Sequence, residues 1–247
     1  MALQLGQVNL KARDEAALGR FWAAALGWEF SSEEPGAASA LPAGTDWPSA
    51  ATSSLDFIAV PDPETVRYRT HLELATTSAA HQAELVERLR DLGATPVEAA
   101  VSWPVLADPE GNQFCVREPR EDYRDTGPIA AIVVDCTDPG AMTRFWTDVL
   151  GWTRHGVTDE HALLRAAEGI GPYLELARTP HLPSRWHRAH LDLVPRPVSG
   201  FAAEVARVEA LGATPADVGQ GEVTWRVLAD PEGHEFCILG PADPSPA

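Results

Sequence analysis

Two short segments set an imidazole and a carboxylate two residues apart between leucines, His71-Leu72-Glu73-Leu74 and His190-Leu191-Asp192-Leu193. If each is a β-strand, alternation puts His71 with Glu73, and His190 with Asp192, on one face, while the leucines are left to pack under a helix. Other strands of the first half follow the same rule. Gln7 and Asn9 project opposite Val8 and Leu10, Asp56 opposite Leu55 and Phe57, and Gln113 and Cys115 opposite Phe114 and Val116. One face thereby gathers Gln7, Asp56, His71 and Cys115; the matching positions of the second half are Ala131, Glu175, His190 and Cys237. Amide, carboxylate, imidazole and thiol groups can hydrogen-bond a small molecule or hold an ion. Asn9, Glu73 and Asp192 share those faces as ligand contacts, and Trp103 and Trp225, just before two Asp-Pro turns, are placed to line a pocket.

The correspondence between halves rests on a repeat. Phe21-Trp22 through Gly27-Trp28 recurs as Phe145-Trp146 through Gly151-Trp152, and Leu92-Gly93-Ala94-Thr95-Pro96 recurs from Leu211. Val105 through Gly111, with Phe114-Cys115, recurs as Val227 through Gly233 with Phe236-Cys237. Offsets run from 119 (His71 to His190) to 124 (Phe21 to Phe145), so each unit is a duplicated domain and too long for a solenoid repeat. The expected organisation is a module over 1–119, a linker over 120–128, a second module over 129–240 and a Pro-rich, frayed tail over 241–247. The linker is charged, lacks apolar periodicity and ends in Gly-Pro.

The elements that must position the polar face can be read from periodicity. Leu5 to Ala12 alternates as a strand, softened at Gly6. Asp14 then caps a helix with the stripe Leu18, Phe21, Trp22 and Ala25, stopped by Gly27. The second copy has cap Asp138, Pro139 in the first turn, stripe Met142, Phe145, Trp146 and Val149, and stop Gly151. Strands follow near 38–41 and 54–60, one opens at His71, and a helix over 78–92 carries Leu85, Val86, Leu89 and Leu92. The strand 113–117 is entered through the turn Asp108-Pro109-Glu110-Gly111. Trp22, Trp28, Trp146 and Trp152 read as core, and Trp47 and Trp186 have no counterpart in the other copy. His155, His161, His181, His187 and His234 read as surface or core residues.

Each copy is thus two βαβββ halves, an α+β pattern. With its FW…LGW helix, HLDL strand, LGAT helix end and DPEG-x-x-FC closing strand, the chain resembles the vicinal oxygen chelate superfamily of glyoxalase I, bleomycin-resistance proteins and extradiol dioxygenases. The resemblance implies tandem glyoxalase-like modules whose curved mixed sheets surround a cavity. It also implies metal ligands at the four inward positions. If first halves meet second halves of the other module, site one is Gln7, Asp56, His190 and Cys237, and site two is Ala131, Glu175, His71 and Cys115. If each module closes on itself, the sets are Gln7, Asp56, His71, Cys115 and Ala131, Glu175, His190, Cys237. Ala131 cannot coordinate an ion, and Cys115 and Cys237 stand where metal-dependent relatives keep a glutamate that in glyoxalase I moves the proton. The chain is therefore not expected to be a true glyoxalase I, and its cofactor would be a divalent metal, zinc, nickel or iron, or none. The implied function is binding of a small organic molecule, with lyase, isomerase or oxygenase chemistry at a divergent or absent metal site. The other reading is sequestration of a cationic or aromatic compound without turnover. The same residues could also serve structure: a histidine held by a neighbouring carboxylate, a cysteine packed beside Phe114 or Phe236, an inward carboxylate paired with Arg69 or Arg188.

Composition narrows the partners. Among 247 residues, 36 acidic against 19 basic groups give a net charge of -17, the wrong sign for nucleic acid or an anionic membrane. Lys11 is the sole lysine, and with abundant Ala and Pro it suggests a GC-rich bacterial source. Three cysteines give no disulfide framework, and neither a signal peptide nor a membrane span is expected, so the compartment expected is the cytoplasm. The oligomeric expectation is a monomer acting as a fused pair of modules, or a homodimer.

Overall fold

The computed structural model describes residues 3–32, 34–49, 51–61, 69–182 and 189–240. Trp186, His187, Arg188 and the tail over 241–247 lie outside them. The first module runs β1 (Leu3–Ala12), α1 (Glu15–Leu26), β2 (Glu29–Ser31), β3 (Ala37–Leu41) and β4 (Ser54–Ala59), then β5 (Thr70–Leu74), α2 (Ala79–Asp91), β6 (Thr95–Pro96), β7 (Val105–Ala107) and β8 (Gln113–Val116). After a 3-10 turn over Glu121–Tyr123, the second module repeats the order: β9 (Ile129–Cys136), α3 (Pro139–Leu150), β10 (Thr153–Val157), β11 (His161–Arg165) and β12 (Tyr173–Arg178), then β13 (Ala189–Pro195), α4 (Phe201–Ala210), β14 (Thr214–Pro215), β15 (Arg226–Ala229) and β16 (Glu235–Ile238).

Local chemistry fixes the helix ends. The Asp14 carboxylate accepts the Ala17 N–H at 2.8 Å and the Asp138 carboxylate accepts that of Ala141 at 2.9 Å. Each such cap is worth about 1 kcal/mol. Gly27 and Gly151 close α1 and α3 in the left-handed conformation, with φ of 70° and 67°, where other residues are strained. The Asp-Pro-Glu-Gly segments are turns, as their composition indicates, and they also tie elements together. Glu110 accepts the backbone N–H groups of Arg13 and Asp14 ahead of α1, and Glu232 those of Thr137 and Asp138 ahead of α3. In the second helix of the first module Leu85 and Leu89 are buried, whereas Leu92 caps the end and is exposed, since the stripe stops one turn sooner than its periodicity suggests.

The strands form two open eight-stranded sheets. Sheet A has the order β14-β15-β16-β13-β1-β4-β3-β2, and sheet B the order β10-β11-β12-β9-β5-β8-β7-β6. The first half of each module is therefore joined to the second half of the other, through antiparallel β1–β13 and β5–β9 pairs. Of the two arrangements the sequence left open, this is the crossed one. The Gly6 irregularity is a bulge: Leu5 pairs with Leu193 and Gln7 with Asp192. The extra residue switches parity, so Leu5 and Val8 both face the core while Gln7 and Asn9 point away. A Cβ at Gly6 would meet the Val194 side chain at 2.6 Å, which accounts for the missing side chain.

One continuous core holds the inner faces of both sheets and the stripes of the helices. Trp22 of α1 packs edge-on to Phe114 of β8 at 5.0 Å, and Trp146 of α3 to Phe236 of β16 at 5.1 Å. Trp28 and Trp152 lean on this core and are only partly buried. Among the described residues no helix is long and apolar enough to cross a membrane.

Candidate functional site

On the face of sheet A turned away from the core, hydrogen-bond register brings polar side chains into two adjacent rows. Asp192 lies between Cys237 and Gln7 in one; in the other Asn9 lies between His190 and Asp56. The Gln7 Nε2 donates to Asp192 Oδ2 at 2.8 Å, and His190 Nε2 stands 3.0 Å from Asp192 Oδ1 as an ion pair. The donor atoms of His190, Asp192 and Cys237 all lie within 4.8 Å of one another. Asp56 is outside that group; its carboxylate accepts the Ser54 hydroxyl at 3.3 Å. Gln7 orients Asp192 through its amide.

Gln7, His190, Asp192 and Cys237 line a cavity of about 440 Å³ together with Asn9, Lys11, Glu235 and Trp225, with apolar walls such as Ile58 and Val227. Trp225 is 41% exposed. Burial alone would lower the pKa of His190; the charge of Asp192, aided by Cys237, outweighs it and pushes the imidazole up to about 10. Burial raises the Cys237 thiol, and His190 pulls it part of the way back. Burial, with the charge of Asp192, pushes Asp56 up to about 7. A wider groove of about 730 Å³ runs between the end of α1, the start of α2 and the inter-module segment. Its Arg88 and Arg124 are engaged with the Ala25 carbonyl and Glu121, and among the described residues neither cluster of His, Cys and acidic groups lies there.

Sheet B carries the counterpart in altered form. His71, Glu73 and Cys115 also have donor atoms within 4.8 Å of one another, but Ala131 and Val133 replace Gln7 and Asn9 across the sheet. Tyr123 enters from the inter-module segment, is buried, and donates its hydroxyl to Glu73 at 3.0 Å. It packs with Tyr173, Ala131, Val133 and Leu163 in a small second core. Arg117 approaches the same Glu73 oxygen at 3.4 Å and lies 3.6 Å over the Trp103 ring. Trp103 is thus occupied by a cation of its own chain. Burial, then the charge of Glu175, pushes Glu73 up to about 7 against the pull of Arg117 and Tyr123. Glu175 is raised by burial and held back by Arg117 and Arg120. Arg69, offered above as a carboxylate partner, instead donates to the Glu232 carbonyl at 2.8 Å. His234 is a core residue, bonded to Thr70 at 2.8 Å.

Tyr123 is the functional-face residue that sequence reasoning missed. Its flanks are charged, and a single aromatic in a charged run gives no periodicity; the available signal was an aromatic in an otherwise polar connector.

The family model for the glyoxalase-like domain matches twice, at 7–117 and 131–239. Among solved structures the chain is similar to glyoxalase I from Zea mays, with 14% identity and a TM-score of 0.61 over 96% of this chain and 92% of that one. A mutant of the maize enzyme gives 0.65 at 14% identity, over 96% and 94%. A putative dioxygenase from Bacillus subtilis gives 0.61 at 14% identity, covering 96% and 85%. These likenesses speak to fold. A search of curated proteins gives no match.

Proposed function

The chain belongs to the glyoxalase-like domain family, one domain in each half, and from that premise we propose that sheet A carries its working site, which binds a small organic molecule in the cavity above His190, Asp192 and Cys237. The observation that carries this reading is the contrast between faces. On sheet A polar donors converge under an apolar-walled cavity of a size suited to a small ligand. On sheet B the equivalent carboxylate is engaged by Tyr123, whose ring packs over that face with Tyr173 and Leu163, and by Arg117. The partners of Asp192, Gln7 and His190, instead line the cavity themselves.

The donor set fits a divalent cation. Imidazole, carboxylate and thiol together suit zinc, with nickel or iron as the other candidates, and three protein ligands leave a position for a substrate. When bound, such an ion acts as a Lewis acid on ligand oxygens. Gln7 keeps the Asp192 carboxylate in place and Asn9 offers an amide to a ligand; without a metal His190 holds a proton against Asp192, which it would have to release in order to coordinate. The thiol must give up its proton to coordinate, and its raised pKa makes uptake strongest at alkaline pH. Cys237 stands where glyoxalase I keeps its proton-moving glutamate, so the proposed chemistry is of the lyase, isomerase or oxygenase type that the family resemblance implies, without that enzyme's glutamate-mediated proton transfer. The exposed ring of Trp225 also supports a second reading, sequestration of an aromatic or cationic compound without turnover.

Cobalt(II) titration tests the donor set. A thiolate-to-cobalt charge-transfer band is expected, lost in Cys237→Ser and in His190→Ala, and unchanged in Cys115→Ser. No band in the parent protein at alkaline pH would remove the metal from the proposal.

A further inference from the structure

Lys11 is the sole lysine of a chain that otherwise uses arginine, and it lies on the cavity wall of sheet A. It follows Gln7 and Asn9 at two-residue intervals on β1 and pairs in register with Ile58 of β4, so its stem runs over the outward face beside an apolar wall. Among the described residues no carboxylate stands within ion-pair distance of its ammonium. The cation lines the cavity, and the carboxylates on the same lining, Asp192 and Glu235, are outside ion-pair distance of it. A compact, strongly hydrated ammonium serves as a point charge for an anion. The surroundings specify the rest of the ligand. Ile58, Val227 and Trp225 offer an apolar bed, and Asn9 lies between Lys11 and Gln7 along β1.

Resting on the reading of this cavity as the working site, we infer that its ligands are compact organic acids, whose carboxylate pairs with Lys11 while an apolar body lies against Ile58, Val227 and Trp225. Lys11 is then a specificity-determining residue. The ligand enters as an anion despite the acidic surface, because the contact is local and the long-range field is screened within about 8 Å at physiological salt.

Benzoate and its neutral counterpart benzamide are the probes, followed by quenching of tryptophan fluorescence in the full-length protein. Benzoate should bind roughly tenfold or more tightly than benzamide, as a charge-assisted contact requires. Lys11→Met should bring the two within about twofold, and Lys11→Arg should restore most of the preference. Since Lys11 carries the one ε-amino group, reductive methylation with labelled formaldehyde gives a single side-chain NMR signal. That signal should shift saturably with benzoate and stay still with benzamide. Equal binding of both probes, binding of neither, or an unaltered preference in Lys11→Met overturns the inference. Cobalt uptake by Lys11→Met is expected to match the parent, so failure here with the cobalt band intact leaves the cavity reading standing.

Discussion

At the scale of residues, Asp192 organises the sheet A site. It accepts from Gln7 and pairs with His190, and its charge pushes up the pKa of both His190 and Asp56. Asp192→Asn should abolish the cobalt band and lower the His190 pKa toward its ordinary value, which a histidine-resolved NMR pH titration would show. A titration still centred near 10 in the variant would mean another group sets it. Glu73 makes stability depend on pH. Its folded pKa, near 7, lies above the ordinary carboxylate value of 4.5, so between these pH values the folded state holds more protons than the unfolded one. Stability is then greatest below the lower value and declines as pH rises through the upper. Asp56 acts in the same direction, and so does His190, whose raised pKa extends the decline above pH 6.5. Thermal melting should therefore be higher at pH 5.5 than at pH 8.5, and Glu73→Gln, which keeps an acceptor for Tyr123, should raise melting at pH 8.5 and flatten the slope.

At the scale of elements, most of the architecture was legible because caps and periodicity agree. Asp14, Gly27, Asp138 and Gly151 bound α1 and α3 as their types require. The shared faces of His71 with Glu73 and His190 with Asp192 follow from alternation alone. Strands of two or three residues, such as β6 and β2, were not legible, since so few residues show no period. Nor was the role of Tyr123, which depends on where the connector passes over sheet B. Tyr123→Phe should cost about 1 kcal/mol, the worth of one hydrogen bond. Tyr123→Ala should cost about 3 kcal/mol or more through the void it leaves. Both are read by urea denaturation; a neutral Tyr123→Ala would mean that the ring does not fill that face.

At the scale of the whole molecule, the two modules share their halves. β1 pairs with β13 and β5 with β9, so neither module alone completes a sheet. A fragment over 1–128 should not be a stable monomer. Expressed alone it should self-associate, pairing its own halves across two copies, and mixing with 129–247 should yield a one-to-one complex by light scattering. A cooperative, monomeric 1–128 would contradict the shared-sheet account. Which module provides a partner for which half could not be decided from the sequence, because the repeat makes both pairings chemically alike. The symmetry is broken by substitution: Gln7 against Ala131, Asn9 against Val133, and a tyrosine over sheet B.

Metal stoichiometry with site-selective variants reads out that asymmetry between the sheets. Cobalt(II) titration of the full chain at alkaline pH should saturate at one equivalent per chain, with the charge-transfer band eliminated by Cys237→Ser and preserved in Cys115→Ser. Saturation at two equivalents, or a band that depends on Cys115, would contradict the account.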